Sequence, residues 1–313
     1  MTTLSLEERR AFGSTGLQVS PLGFGGAPIG LLESEQDAVR QVLNDLLDAG
    51  ANVIDTAAMY RGSEAMIGET IGHRRDEYIL ISKCGHAIEE TDAAPWSPEL
   101  IRASVERSLK RLRTDVIDVM LLHSCDLETL KKREALDELM RLREEGKIRF
   151  AGYSGDNEAA AWAVTQPDVR VLQTSINLCD QNNIEHVLPA ARDHEVGVMA
   201  KRPIANAAWK DAEQYERYRD YAQPYVERFK AMGLSLDLLE TDGDPNLVWP
   251  EIALRFTLTV PGVHTAIVGT TRPDRIPANL EAVQKGPLPD QIFEKIRSAF
   301  RNTEGSIHWD GKT

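Results

Sequence analysis

Four residues from three separate stretches of the chain could do acid–base chemistry together: Asp55, Tyr60, Lys83 and His123. A phenol is a poor acid at neutral pH, because its ordinary pKa is about 10. An ammonium beside it stabilises the phenolate and eases proton donation to a developing alkoxide. Lys83 can supply that charge, and a carboxylate at 55 can keep the lysine protonated and aimed. An imidazole at 123 can hydrogen-bond a carbonyl oxygen and orient it. Together they form a proton-donating oxyanion site that lacks only a hydride. Each residue also has a structural reading: Asp55 as a helix cap, Tyr60 as packing, Lys83 as a loop cation, His123 as a core histidine. Only their joint placement argues for chemistry.

That placement depends on the elements between them. Apolar runs at 21–25, 52–55, 78–82, 116–122, 148–152, 169–174, 196–200 and 265–269 read as strands. Several are continuous rather than alternating, as expected of parallel strands buried on both faces. Helical stripes lie between them. Val39, Val42, Leu43 and Leu46 form one, with Ser34-x-x-Asp37 as a capping box ahead of it. Ile101, Val105, Leu109 and Leu112 form another, opened by Ser97 and Pro98. Leu136, Leu139 and Met140 give a third, stopped by Gly146, and 289–300 an extra helix after the last strand. Over 245–256 the pattern leaves two options, because Pro250 could start a helix or interrupt one. Ahead of the first strand, 10–12, a Gly13–Gly16 turn and 17–19 read as a hairpin.

Eight β-then-α units can close into a barrel or stay open and doubly wound. The glycines at 23, 25, 26 and 30 do not satisfy the G-x-G-x-x-G fingerprint of an open dinucleotide-binding sheet. The expected fold is therefore α/β: a (β/α)8 TIM barrel with an N-terminal β-hairpin and an extra C-terminal helix, residues 1–313 forming one domain. Reactive groups in such a barrel gather at the carboxyl ends of its strands. Asp55 ends the second strand with Tyr60 just beyond, Lys83 ends the third and His123 the fourth, so the four can converge.

Composition narrows the alternatives. The chain has 313 residues, 42% hydrophobic and 27% charged, ordinary for a sizeable core. No apolar run approaches the roughly 20 residues of a membrane span, and the first residues do not form a secretory signal. Three cysteines (Cys84, Cys125, Cys179) argue against a disulfide framework and for a reducing cytoplasm. A formal net charge of −13 works against a nucleic-acid partner, and means that an anionic cofactor needs a locally positive site. The seven histidines show no His-x-His or carboxylate–histidine spacing, which disfavours a metal-dependent hydrolase and any metal. A transferase using Lys83 as a Schiff-base amine is chemically open.

The string Asn52-Val53-Ile54-Asp55-Thr56-Ala57-Ala58-Met59-Tyr60, followed by Gly62-Ser63-Glu64 and Gly68, resembles the first signature of the aldo-keto reductase family. Ile81-Ser82-Lys83 and Leu121-Leu122-His123-Ser124 resemble the next two, and the similarity runs from about residue 10 to the C-terminal tail. The resemblance implies a reductase of aldehydes or ketones with Asp55, Tyr60, Lys83 and His123 as its catalytic tetrad, and Tyr60 as proton donor. It also implies a nicotinamide cofactor, NADPH rather than NADH, lying across the barrel mouth. The carboxamide contacts of the family fall on Ser154 and Gln173, but Gly155 stands where an Asn is usual, with Asp156 or Asn157 as possible replacements. After the seventh strand, Lys201-Arg202-Pro203-Ile204 replaces a Tyr-Ser-Pro-Leu setting. Lys201 then takes the place of the stacking tyrosine, and Arg202 is an alternative phosphate contact. After the eighth strand, Gly269, Thr270, Thr271, Arg275 and Asn279 match the segment that holds the adenosine phosphate and adenine. Substrate contacts fall on Phe24, Trp96, Trp209 and Trp309, with His86 a further candidate. The small-molecule carbonyl substrate is the expected partner. A second reading keeps the barrel and the cofactor but makes the protein a regulatory or redox-sensing subunit with little turnover.

Overall fold

Continuous apolar strands need cover on both faces: helices outside and interdigitating side chains within. The computed structural model, which describes residues 5–31, 36–210, 219–304 and 309–311, meets that need with a parallel barrel. Its strands are β3 (Leu22–Gly25), β4 (Val53–Asp55), β5 (Ile79–Cys84), β6 (Ile117–His123), β7 (Ile148–Ser154), β8 (Val169–Ser175), β9 (Gly197–Lys201) and β10 (Thr265–Val268). The barrel closes by pairing β10 to β3. Helices between the strands make the outer ring, and the helix Asp290–Glu304 follows the last repeat. The chain is thus a (β/α)8 barrel with an added N-terminal hairpin, β1 (Arg10–Ala11) with β2 (Gln18–Val19), and an added C-terminal helix.

Two apolar cores follow from strand alternation. Inside the barrel, Val53, Ile81, Val119, Leu121, Val171 and Met199 pack together, and the hairpin adds Phe12, Leu17 and Val19 to close the amino-terminal end. Outside, Phe24, Ile54, Leu80, Leu122 and Leu172 face the helices. All eight apolar runs expected from the sequence become barrel strands, mostly one or two residues longer at the carboxyl end.

Helix boundaries follow local chemistry. Ser97 accepts from the Leu100 amide at 3.2 Å and Pro98 opens the helix Pro98–Leu112. The ambiguity around Pro250 resolves into a continuous helix, Pro245–Thr259, capped by Asp244. Ser34 lies outside the described residues. Among them, no helix is long and apolar enough to cross a membrane.

Register sets the height of the site. Asp55 pairs with Ile81, Lys83 with Leu121, His123 with Ser154, Ser154 with Gln173, and Ser175 with Lys201. Each step of two residues keeps side chains on the same face. Asp55, Lys83, His123, Ser154 and Gln173 therefore all point inward near the carboxyl end of the barrel.

Candidate active site

At the base of the mouth, the Lys83 ammonium donates to both oxygens of Asp55, at 2.7 and 2.8 Å, and to the Thr56 carbonyl at 2.8 Å. Three acceptors match the three N–H bonds of a protonated amine, so the pair is ionic. Its side chains are sealed, 0% and 3% exposed. Burial pushes the Asp55 carboxyl up and the Lys83 ammonium down, and their contact opposes both shifts. Gln173 donates from Nε2 to Asp55 Oδ1 at 2.8 Å and accepts from Ser154 Oγ at 3.1 Å.

Tyr60 and His123 lie above this pair, half-buried, with their rings edge to face at 5.7 Å. Lys83 Nζ is 5.0 Å from the centroid of the Tyr60 ring, a cation–π contact. This differs from the sequence expectation. Lys83 is committed to Asp55 and Thr56, so it does not lower the phenol at rest. Burial, then the Asp55 charge, pushes Tyr60 above its ordinary value, while Arg202 pulls it back in part. Tyr60 is therefore a neutral phenol at pH 7. Burial, with the charges of Lys83 and its neighbours, holds His123 well below its ordinary value, so it is a neutral imidazole.

The departures from the family pattern have a packing explanation. A side chain at Gly155 would meet the Tyr153 hydroxyl at 2.3 Å, and that hydroxyl donates to the Cys125 carbonyl at 2.7 Å. Tyr153 occupies the volume that an Asn at 155 would need. Both candidate replacements hold other partners. Asp156 is buried and accepts from Thr174 Oγ1, Ser175 N, Ser175 Oγ and Asn183 Nδ2, and binds Lys201 Nζ at 3.0 Å. Burial works to raise its carboxyl, but Lys201 and the other donors outweigh it and hold the group below the usual range. Asn157 grips the backbone of Gly311, accepting from its amide at 2.7 Å and donating to its carbonyl at 3.1 Å. Lys201 thus has its head turned to Asp156. Arg202 donates toward Ser175 Oγ and the Tyr225 hydroxyl, both at 3.3 Å, and lies over the Tyr221 ring.

Beyond β10, Gly269 is packed by Pro28, and the turn Thr270–Arg275 leads into the helix Ile276–Gln284, which carries Asn279. Arg272 pairs with Asp274 at 2.7 Å, and the Arg275 side chain is 40% exposed. Thr271 is half-buried on the same turn. These exposed cations beside a helix start suit a phosphate.

The four aromatic substrate candidates separate. Phe24 is fully enclosed on the outer face of β3, because the strand turns Gly23 and Gly25 inward, so it does not border the mouth. Trp209 stacks on Trp249 at 6.4 Å. Trp309 packs on Phe300 and under Arg228, with its carbonyl held by Asn182. Only Trp96 lies beside the tetrad, through His86. Of the residues that clamp the tail, Asn182 and Arg228 carry no sequence signal, and Asn157 stands out only as a possible replacement for the missing Asn.

Backbone strain marks the same region. Trp96, Ser124 and Arg202, in loops after barrel strands, have φ of 66°, 65° and 53°, and Asn157, which opens the helix Asn157–Ala163, has 57°. Non-glycine residues with positive φ collect where surrounding structure holds them, often at functional sites. Among the described residues, no group of three or more His, Cys, Asp or Glu could hold a metal.

Over residues 21–301 the sequence matches the Aldo/keto reductase family. The chain belongs to that family. It is similar to the uncharacterized oxidoreductase YqkF of Bacillus subtilis, 26% identical over 93% of this chain and 95% of the relative. Similarity extends to the L-galactose dehydrogenase of Arabidopsis thaliana, 27% identical over 88% of each chain. Among solved structures, the holo form of aldo-keto reductase AKR11C1 from Bacillus halodurans superposes with a TM-score of 0.78, at 26% identity over 93% of this chain and 96% of the other. As an aldo/keto reductase, the protein is an NAD(P)H-dependent oxidoreductase of carbonyl compounds.

Proposed function

We propose that the protein reduces a small aldehyde or ketone with NADPH, reversibly, and that Tyr60 gives the proton. When bound, the reduced nicotinamide supplies the hydride. The observation that carries this reading is the arrangement of Tyr60 and His123, partly open to the mouth, above a sealed Asp55–Lys83 pair. His123, held neutral, donates a hydrogen bond to the carbonyl oxygen and fixes its direction. Tyr60 starts protonated, the form that can donate, and passes its proton to the oxygen as negative charge develops there. Lys83 stabilises the resulting phenolate through the ring contact, and Asp55 keeps the ammonium in place.

The residues present suit the cofactor at both ends. Arg275, with Thr270 and Thr271, offers donors to a 2′-phosphate, and Asn279 lies one turn further on for the adenine. Ser154 and Gln173, hydrogen-bonded to each other and through Gln173 to Asp55, would hold the nicotinamide end. Because Asp156 anchors the Lys201 head, Lys201 would offer its aliphatic stem to the nicotinamide, and Arg202, held by Ser175 and Tyr225, would bring its charge to the diphosphate. Three free, buried cysteines fit a reducing cytoplasm, where we place the protein.

The test is NADPH consumption across a panel of aldehydes, ketones and sugars, with and without Tyr60→Phe. We expect Tyr60→Phe to lose about 100-fold or more in kcat, the range of a lost general acid, while NADPH binding persists. Tight NADPH binding by the wild type without turnover of any compound would instead favour the regulatory reading.

A further inference from the structure

A row of rings continues outward from the tetrad. Beyond the Tyr60–His123 contact, His86 meets His123 edge to face at 5.1 Å, and Trp96 meets His86 the same way at 5.0 Å. All four are half-buried, whereas Asp55 and Lys83 below them are enclosed. The row therefore borders the opening through which a substrate reaches Tyr60.

His86 is held there by a rigid support. It follows Gly85, whose φ is 119°. A side chain at Gly85 would fall 1.8 Å from Trp96 Cζ3, so the indole fills that space. Trp96 adopts φ 66°, costly for a bulky residue, and its amide donates to the Gly85 carbonyl at 3.0 Å. The next residue, Ser97, caps the helix Pro98–Leu112. The loop is tied at both ends, and strain of this kind persists only where the surroundings enforce it. Burial holds the His86 imidazole below its ordinary value, and its contact with the His123 backbone opposes this in part. Nothing in the proton-transfer scheme uses His86.

We infer that His86 determines specificity by hydrogen-bonding a hydroxyl on the carbon next to the substrate carbonyl, with Trp96 as the wall behind it, so that the site prefers short α-hydroxy carbonyl compounds over apolar ones. The inference rests on the reductase reading and deepens it. A carbonyl oxygen between Tyr60 and His123 places a neighbouring substituent either toward the barrel floor or outward, where His86 stands. Two imidazoles in contact offer two hydrogen-bonding groups side by side. A neutral ring lacks the charge that would favour a carboxylate. A site built around a polar contact disfavours the analogue that lacks it, because its own donor or acceptor is then left unmatched.

The test compares kcat/KM for glycolaldehyde with that for propionaldehyde, which carries a methyl where the former has its hydroxyl. Wild type should favour glycolaldehyde. His86→Phe should shrink that ratio by about tenfold or more, since one lost hydrogen bond corresponds to roughly that factor. His86→Gln, which keeps hydrogen-bonding groups, should retain more of the ratio than His86→Phe. His86→Leu repeats the first arm with a smaller side chain, should Phe prevent folding. An unchanged ratio in the apolar variants, or a wild type that favours propionaldehyde, overturns the inference while leaving the reductase reading standing. Failure of the wild type to reduce either aldehyde or any other carbonyl compound overturns both.

Discussion

Asp156 and Lys201 form a second buried ion pair, joining the end of β7 to β9, and it is chemically unlike the first. Asp55 receives two donors, Lys83 and Gln173, whereas Asp156 receives five. Five donors around one carboxylate favour its ionised form strongly, as its lowered pKa reflects. Asp156→Asn would leave the Lys201 ammonium buried without its counter-charge, a change that typically costs about 3–5 kcal/mol. Urea unfolding at pH 7 should register that loss. Lys201→Met in the same background should recover part of it, because two neutral partners need no charge compensation. The pH dependence has a definite sign. A carboxylate whose folded pKa is depressed contributes stability above its unfolded value, about 3.9. That contribution disappears as pH falls through the lower folded value. Wild type should therefore lose stability more steeply than Asp156→Asn below about pH 4. Equal slopes would mean that the fold does not depress the Asp156 pKa.

The loop after β7 shows how one packing decision propagates through an element. Tyr153 is turned outward and held by Cys125, so residue 155 must be glycine, so no side chain from that position reaches the mouth. Restoring the family's usual residue with Gly155→Asn should destabilise the protein, and even Gly155→Ala should cost about 1–3 kcal/mol, as overpacking of a filled site does. Combining Gly155→Ala with Tyr153→Leu should cost less than the sum of the two changes, read by thermal or denaturant melting. Strict additivity would mean that the two positions do not compete for space. The same element marks the boundary of what the sequence makes legible. Strand positions were readable from continuous apolar runs such as 116–122, and the tetrad from polar residues at the ends of those runs. Both signals are local and periodic. Gly155 was visible only as a missing Asn, because its cause is a contact with a ring that faces away from the barrel axis. Phe24 faces the helices and not the mouth, because a strand's face depends on its partners' register, which a glycine-flanked aromatic does not announce. The role of Asn157, Asn182 and Arg228 in gripping residues 309–311 comes from contacts across more than 80 positions, and nothing in residue type records it.

Across the whole molecule, a net charge of −13 sets a problem for any anionic cofactor, and the answer must be local. Around the turn after β10, Arg272 is paired with Asp274, whereas Arg275 lies 4.0 Å from the same carboxylate and is substantially exposed. Arg275 is thus the cation better placed to meet a phosphate at the start of the helix Ile276–Gln284. A charge-assisted hydrogen bond of this type contributes about 1.5–3 kcal/mol, or roughly tenfold to a hundredfold in affinity. Arg275→Ala should raise the Kd for NADPH by about that factor and leave NADH nearly unchanged, because NADH lacks the 2′-phosphate. Quenching of the intrinsic tryptophan fluorescence would measure both constants. Added salt should weaken NADPH binding to the wild type more than to Arg275→Ala, since the variant has lost an ion pair exposed enough to be screened. If Arg275→Ala binds both cofactors as the wild type does, the preference for NADPH has no foundation in this turn. Binding must then draw on Lys201 and Arg202, at the end of the neighbouring strand β9.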